Sequence, residues 1–139
     1  MKLLYLTFVL LSSYAFSNAF NDETYLAHIY NILDKANKQK TLSNGEIYML
    51  LDSYNYEQNN VELSEYRAFG ITSIVLNHKN CRKLLKQLKN NQDFITEFLC
   101  IDMLFVEDME KEDIINNINQ VSGFKDIKSK IFLLLDKYN

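Results

Sequence analysis

Residues 61–76 read VELSEYRAFGITSIVL and residues 81–88 read CRKLLKQL, and the rest of the chain is organised around the stretch that contains them, residues 60–105. In the first segment, apolar and small residues recur at helical spacing, at Tyr66, Phe69, Gly70, Ser73 and Ile74. Such a pattern is typical of one face of an α-helix. Because a residue as small as Gly70 lets a second helix approach closely, we expect this helix to lie inside the fold, between its neighbours.

The composition predicts an all-α protein. The chain has 139 residues, no proline and three glycines, and 47% of its residues are hydrophobic. Few glycines and no prolines leave tight turns without their usual residues and leave helices uninterrupted. The apolar fraction excludes a disordered chain. The apolar periodicity along the chain divides into about seven helices, one of which begins at the capping-box pattern formed by Ser43 and Glu46.

The first 19 residues have the order of a secretory signal peptide. Lys2 precedes an apolar run at residues 3–11, and small and polar residues then lead to Ala19. The run is too short to span a bilayer, which requires about 20 apolar residues. We therefore predict a signal peptide at residues 1–19 and one helical domain at residues 20–139. The mature protein is expected in the periplasm or outside the cell, with no membrane association after cleavage.

The charge balance is mildly acidic. The chain has 15 Lys and Arg against 18 Asp and Glu, for a formal net charge of −3. Nucleic-acid binding depends on clustered cationic side chains, so this balance does not favour a nucleic-acid partner.

The two cysteines, Cys81 and Cys100, fall in the part predicted to be exported, where paired cysteines usually form disulfides. A helical hairpin that turns at residues 90–92 would bring the two to the same height, because Cys81 lies ten residues before Asn91 and Cys100 nine after it. The sequence therefore predicts one disulfide between Cys81 and Cys100, with two buried thiols as the alternative.

The predicted helices also suggest a repeat. First helices of successive pairs begin 35 and 31 residues apart, and second helices are centred 32 and 33 apart. The positions used for this spacing are Gly45, Asn80 and Lys111 for the first helices, and Tyr66, Phe98 and Ile131 for the second. A period in the thirties is typical of helical-hairpin repeats.

Residues 66–74, YRAFGITSI, resemble the second helix of a HEAT repeat, in which an aliphatic and a basic residue precede two small-residue positions and a leucine. Ile127 and Lys128 repeat the opening of that pattern, and the resemblance covers residues 45–138. The chain lacks the prolines that HEAT units usually have. The resemblance implies a curved stack of helix pairs that binds a partner protein, and a compact helical bundle is the alternative.

Catalytic and metal-binding patterns are missing from the sequence. His28 and His78 stand far apart, and no Gly-rich phosphate loop, Gly-x-Ser-x-Gly or His-Glu-x-x-His motif occurs. Glu65 with Asp102 or Glu97 would form a carboxylate pair in some folds, but such pairs also arise by chance. We therefore expect no catalytic residue, metal or cofactor.

Two segments are candidate surfaces for a protein partner. An acidic loop would meet a basic partner or loosely hold Ca²⁺, although it lacks the Asp/Asn alternation and central glycine of an EF-hand loop. Alternatively, it would serve only as solvated charge before a helix. A tyrosine-bearing tip has residues that suit interfaces, or that pack at the edge of the core. The candidate residues are Glu107, Asp108, Glu110, Glu112 and Asp113 in the loop, and Tyr54 and Tyr56 at the tip.

These observations predict an exported, non-enzymatic helical protein that acts by binding another protein. A toxin-neutralising immunity protein is the specific hypothesis, since such a protein needs a small stable fold and an acidic surface rather than a catalytic site. A secreted virulence-associated or scaffold protein with another target is the alternative. A small secreted enzyme is the less favoured third class.

Overall fold

A computed structural model describes residues 23–55, 61–106 and 108–138 of the chain. This part is all-α, as predicted, and contains seven helices and no strand. The helices are α1 (residues 23–37), α2 (Asn44–Asp52), α3 (Val61–Leu76), α4 (His78–Asn90), α5 (Glu97–Met103), α6 (Lys111–Gln120) and α7 (Lys125–Leu135). Short 3-10 turns follow α2 at Ser53–Asn55 and α4 at Gln92–Phe94. The predicted signal peptide at residues 1–19 lies outside the described residues.

Helix α3 packs closely against α1 through Gly70, which confirms the predicted close approach. A Cβ placed on Gly70 would lie 2.3 Å from Cδ2 of Leu33, so only glycine fits without displacement of the leucine. Beside this contact, the hydroxyl of Ser73 donates a hydrogen bond to Oδ1 of Asn37 over 3.2 Å. Phe69 was expected on the same inward face, but its side chain is 48% exposed. The close face of α3 is therefore narrower than the sequence pattern suggested.

Helices α3 and α4 form the centre of the fold. Helix α3 packs on α5, α4 and α6. Helix α4 packs in addition on α2, α6 and α7. The buried face of α4 consists of Asn80, Cys81, Leu84, Leu85 and Leu88. One continuous apolar core therefore runs through all seven helices.

This packing differs from a row of successive hairpins. The repeat interpretation pairs α2 with α3 and α4 with α5, and neither pair is among the principal contacts, whereas α2 packs on α4 and α3 on α5. Of the three predicted pairs, only α6 and α7 pack on each other among the described residues. The described residues do not show HEAT-like repeats, and the repeat interpretation stays a prediction.

Two asparagines attach the α1–α2 connection to the start of α4. Asn80 is fully buried; its side chain accepts a hydrogen bond from the Leu42 amide over 2.8 Å and donates one to the Lys40 carbonyl over 2.9 Å. Asn77 caps α4 by accepting from the Asn80 amide, and it donates to the Gln39 carbonyl over 3.2 Å. Because buried polar groups are costly unless they are paired, these bonds hold the connection in one position.

The predicted disulfide is wrong. Cys81 and Cys100 are both free and buried thiols. The prediction assumed that α4 and α5 form an antiparallel hairpin, but the 3-10 turn Gln92–Phe94 separates them and α5 packs instead against α3 and α7. Burial raises the pKa of each thiol from 9.0 to about 12.

Candidate functional site

An open groove of about 440 Å³ lies between α3 and α5. Its lining is largely apolar, with two carboxylates and one hydroxyl among the side chains. Helix α3 contributes Val61, Ser64, Glu65 and Ala68, and the α5 segment contributes Ile101, Asp102 and Phe105. Glu65 and Asp102, distant in sequence, thus share one groove.

Large apolar side chains stand exposed around this groove. Val61 is 71% exposed, Ile101 41% and Phe105 40%. The ring of Phe105 meets the ring of Phe69 edge to face, with centroids 5.1 Å apart. Single exposed apolar residues are ordinary on protein surfaces, but a contiguous group of them beside a groove is typical of an interaction site.

Asp102 is held in place by three neighbours. The hydroxyl of Tyr54 donates a hydrogen bond to Oδ2 of Asp102, and Nε of Arg67 lies 3.6 Å from the same oxygen. The hydroxyl of Thr72 donates to the backbone carbonyl of Asp102 over 2.9 Å. These contacts come from the turn after α2 and from α3, so the position of Asp102 depends on the packing of three segments.

Arg67 is the charged residue most deeply placed in this cluster, with an exposed fraction of 6%. Its guanidinium carbon lies 3.9 Å from the centroid of the Tyr54 ring, which is a favourable cation–π arrangement. Among the described residues, its Nε and Nη1 have no hydrogen-bond partner. The charge of Arg67 is therefore balanced by Asp102 and the Tyr54 ring rather than by a full set of hydrogen bonds.

Burial governs the protonation of the cluster. It raises the pKa of Asp102 above its usual value, against the opposing influence of Tyr54 and Arg67. It also raises the pKa of Tyr54 well above 10.0, and the adjacent Asp102 carboxylate adds to that shift. Tyr54 therefore keeps its proton and acts as a donor to Asp102. The groove presents the exposed carboxylate of Glu65 and the paired carboxylate of Asp102 beside apolar side chains.

The predicted partner-binding residues differ in their exposure to solvent, and two of them are not described by the structure. Tyr56 and Glu107 lie outside the described residues. Tyr54 is partly buried and its hydroxyl bonds within the protein. Four acidic residues are exposed, namely Asp108, Glu110, Glu112 and Asp113. Asp108, the first described residue of the acidic loop, lies three positions after Phe105, which lines the groove.

The groove itself was not predicted from the sequence, although a signal for it exists. In α5 and the residues after it, apolar side chains occur on every side, including Phe98, Ile101 and Phe105. A helix that is apolar all round is either fully buried or covered by a partner. Phe98, Ile101 and Phe105 are exposed, so burial does not explain the pattern.

Neither a metal-ligating cluster nor a membrane-spanning helix is found in the part of the chain that the structure describes. Among the described residues, no group of three or more His, Cys, Asp or Glu side chains is placed to hold a metal ion. His28 and His78 are both exposed. Within those residues, too, no helix combines the length and the apolar character needed to cross a membrane.

Comparisons of the chain with protein-family models, with curated proteins and with solved structures found no match.

Proposed function

We propose that this chain is an exported, non-enzymatic helical protein that acts by binding a partner protein at the groove between α3 and α5. The observation that carries the proposal is the exposed apolar group around the groove. Val61, Ile101 and the Phe69–Phe105 ring pair leave apolar area in water that a partner would cover. Aromatic side chains are also the residues that most often dominate binding energy in protein interfaces.

Acidic groups near the groove support a basic partner. The exposed Glu65 lines it, and Asp108 is exposed three positions after the lining residue Phe105. Asp102 also lines the groove, but its charge is paired with Arg67. Charges of one sign at the rim of an interface attract an oppositely charged partner and speed association. A toxin-neutralising immunity protein is the specific form of this proposal, because it would use such a surface to fill and neutralise a basic cleft.

The experiment uses two variants with matched exposure. Val61 at the groove is 71% exposed, and Leu133 on α7 is 70% exposed. Val61→Lys and Leu133→Lys place the same charge on the two surfaces, and both proteins serve as bait in extracts of the native host. Bound proteins are quantified by mass spectrometry. We expect a partner that binds wild type and Leu133→Lys but is lost with Val61→Lys, since the groove would then repel a basic protein.

Two outcomes decide between the alternatives. A partner retained equally by both variants would exclude the groove as its binding surface. A captured protein that is not a toxin would replace the immunity hypothesis with the scaffold or virulence-associated alternative.

A hydrolase is a second candidate, favoured by the shared position of Glu65 and Asp102 in the groove. Paired carboxylates in different environments are the usual acid and base of glycoside hydrolysis. Here Asp102 is partly buried and Glu65 is exposed. Turnover of chromogenic glycosides that disappears in both Glu65→Gln and Asp102→Asn would support this candidate, and turnover that persists in both would exclude it.

A further inference from the structure

A row of exposed cationic side chains runs along α4, on a surface that the groove does not include. The row consists of Lys79, Arg82, Lys86 and Lys89, and we call it the basic stripe. Its members are three or four positions apart, so they lie on one side of the helix over about 15 Å. Lys83 lies beside the stripe, but its ammonium group donates to the Leu42 carbonyl and so points toward the protein.

The stripe is not neutralised by nearby acids. Helix α4 contains no Asp or Glu. None of the ion pairs among the described residues includes a member of the stripe. Helix α7 packs on α4 and adds further cations, Lys125, Lys128 and Lys130. Together the two helices hold eight of the chain's 15 cationic residues and one of its 18 acidic residues.

One contact joins the stripe to the segment before α7, and another joins α7 to the residues after α4. Nη1 of Arg82 lies 3.5 Å from the hydroxyl oxygen of Ser122, in the turn that leads to α7. Nζ of Lys130 donates to the side chain of Gln92, just beyond the end of α4. A chain with a net charge of −3 therefore presents one strongly cationic side. The net charge, which did not favour a nucleic-acid partner, conceals this separation of cationic from acidic residues.

We propose that the basic stripe binds the surface of a bilayer that contains anionic phospholipids. The phosphate groups of such a surface form a flat anionic layer, and clusters of four or more Lys and Arg on a helix are attracted to it. The apolar side of α4 is used in the core, where Leu84, Leu85 and Leu88 are buried. Because this side cannot enter the bilayer, binding is peripheral and electrostatic, unlike that of an inserting amphipathic helix.

Other anionic partners fit the stripe less well. Protein interfaces rely on aromatic and other apolar anchors and contain few lysines, and no exposed large apolar residue belongs to α4 within the described part of the chain. Single-stranded nucleic acid requires aromatic rings for base stacking, and α4 has no Phe, Tyr or Trp. Three of the four cations are lysines, which act as point charges rather than as planar ligands of single phosphates.

The test measures sedimentation of the full chain with vesicles at low ionic strength. One set of vesicles is phosphatidylcholine mixed with phosphatidylglycerol, and the other is phosphatidylcholine alone. We expect tighter binding to the anionic vesicles than to phosphatidylcholine alone, since any binding by the apolar residues 1–19 is common to both. Because salt screens charges over about 10 Å at 0.1 M and about 3 Å at 1 M, this preference should be lost at high salt. A preference for anionic vesicles that persists at high salt would contradict the proposal.

Matched variants identify the surface. Lys79→Gln, Lys86→Gln and Lys89→Gln are combined in one protein, and Lys38→Gln, Lys40→Gln and Lys137→Gln in another. All six side chains are exposed, and both proteins lose the same charge. The first should partition onto anionic vesicles roughly 100-fold more weakly, at about fivefold per lysine, and the second should lose only a small part of that. Both proteins keep residues 1–19, so any binding by that segment is common to them.

Three further results would overturn the inference. The first is absence of wild-type binding to the anionic vesicles at low salt. The second is an equal loss in the two triple variants, which would assign the effect to net charge rather than to the stripe. The third is tighter binding to double-stranded DNA than to vesicles of equal phosphate concentration, which would make the partner a nucleic acid. None of these results depends on the groove or on its protein partner, because the stripe and the groove share no residue.

Discussion

The hydroxyl of Tyr54 donates a hydrogen bond to Oδ2 of Asp102, a residue 48 positions further along the chain. This bond joins the turn after α2 to α5, one of the two helices that form the groove. The sequence suggested Tyr54 for partner binding, whereas in the structure its hydroxyl supports an acidic residue of the groove. The proposed binding at the groove and the stability of the fold therefore depend on the same pair.

Tyr54→Phe should lower the free energy of unfolding by about 1 to 3 kcal/mol, because it leaves a partly buried carboxylate without one of its donors. Tyr48→Phe is the matched control, since Tyr48 is 44% exposed and its variant should change stability by less than about 0.5 kcal/mol. Urea denaturation followed by circular dichroism measures both. Equal stability of the two variants would show that the hydrogen bond contributes nothing.

Glu46 should contribute stability that depends on pH. Its carboxylate accepts from Lys35 over 2.5 Å and from the Ser43 amide over 2.7 Å, which lowers its pKa below 4.5 in the folded protein. A lowered folded pKa stabilises the protein above the unfolded pKa, and that stability is lost as the pH falls through the folded value. In Glu46→Gln, the free energy of unfolding should therefore depend less on pH in the acid range. At neutral pH it should be lower than that of wild type by about 1 kcal/mol.

The free energy of unfolding of Glu46→Gln is measured by urea denaturation at several acid pH values, and Glu97→Gln serves as the comparison. Glu97 pairs with Lys137 over 3.0 Å and its pKa is also lowered, but both side chains are more than half exposed. Solvent screens such pairs, so the acid dependence of stability should change less than in Glu46→Gln. A larger change in Glu97→Gln would contradict this ranking.

Gly70→Leu should destabilise the protein by about 1 to 3 kcal/mol, because even a Cβ at this position would overlap Leu33. Adding Leu33→Ala to that variant should recover part of the loss, since it removes the atoms that clash. Gly45→Leu is the control, because the atom nearest to a Cβ placed on Gly45 is Oγ of Ser43, at 3.9 Å. Thermal unfolding of the four proteins that form the double-mutant cycle gives the coupling between positions 70 and 33.

The buried thiols should be protected from alkylation while the protein is folded. The pKa of Cys81 and of Cys100 is raised to about 12 by burial, and only the thiolate reacts readily. At mildly alkaline pH, iodoacetamide should label the denatured chain much faster than the native one. Peptide mapping without reductant is the second measurement. A linked Cys81–Cys100 peptide from the folded protein would contradict the prediction.

Charge reversal in the acidic loop should not be uniformly tolerated. Oδ2 of Asp113 accepts a hydrogen bond from the Glu110 amide over 3.2 Å at the start of α6. Asp113→Lys removes that bond and places a cation at a helix N-terminus, which should cost about 0.5 to 2 kcal/mol. Asp108→Lys, at an exposed position before the helix, should cost less than about 0.5 kcal/mol. Asp108→Lys is therefore the better probe of partner binding, and an equal loss of stability in both variants would contradict this assignment.

Features that depend on neighbours three or four positions away were predictable from the sequence. The all-α class and the capping box of Ser43 and Glu46 are of this kind. Local hydrogen bonds and helical periodicity are set by the chain itself, whatever the helices later pack against. The basic stripe also lies within one helix, but net charge is an average over the chain and does not reveal it.

Only the tertiary structure decided which helices meet. The separation of Cys81 from Cys100 and the bond between Tyr54 and Asp102 both follow from α5 packing on α3 rather than on α4. Phe69 and Phe105 are exposed because the core covers other sides of α3 and of the α5 segment. An apolar pattern specifies that a helix must be covered, whereas the competition among all helices for a single core determines what covers it.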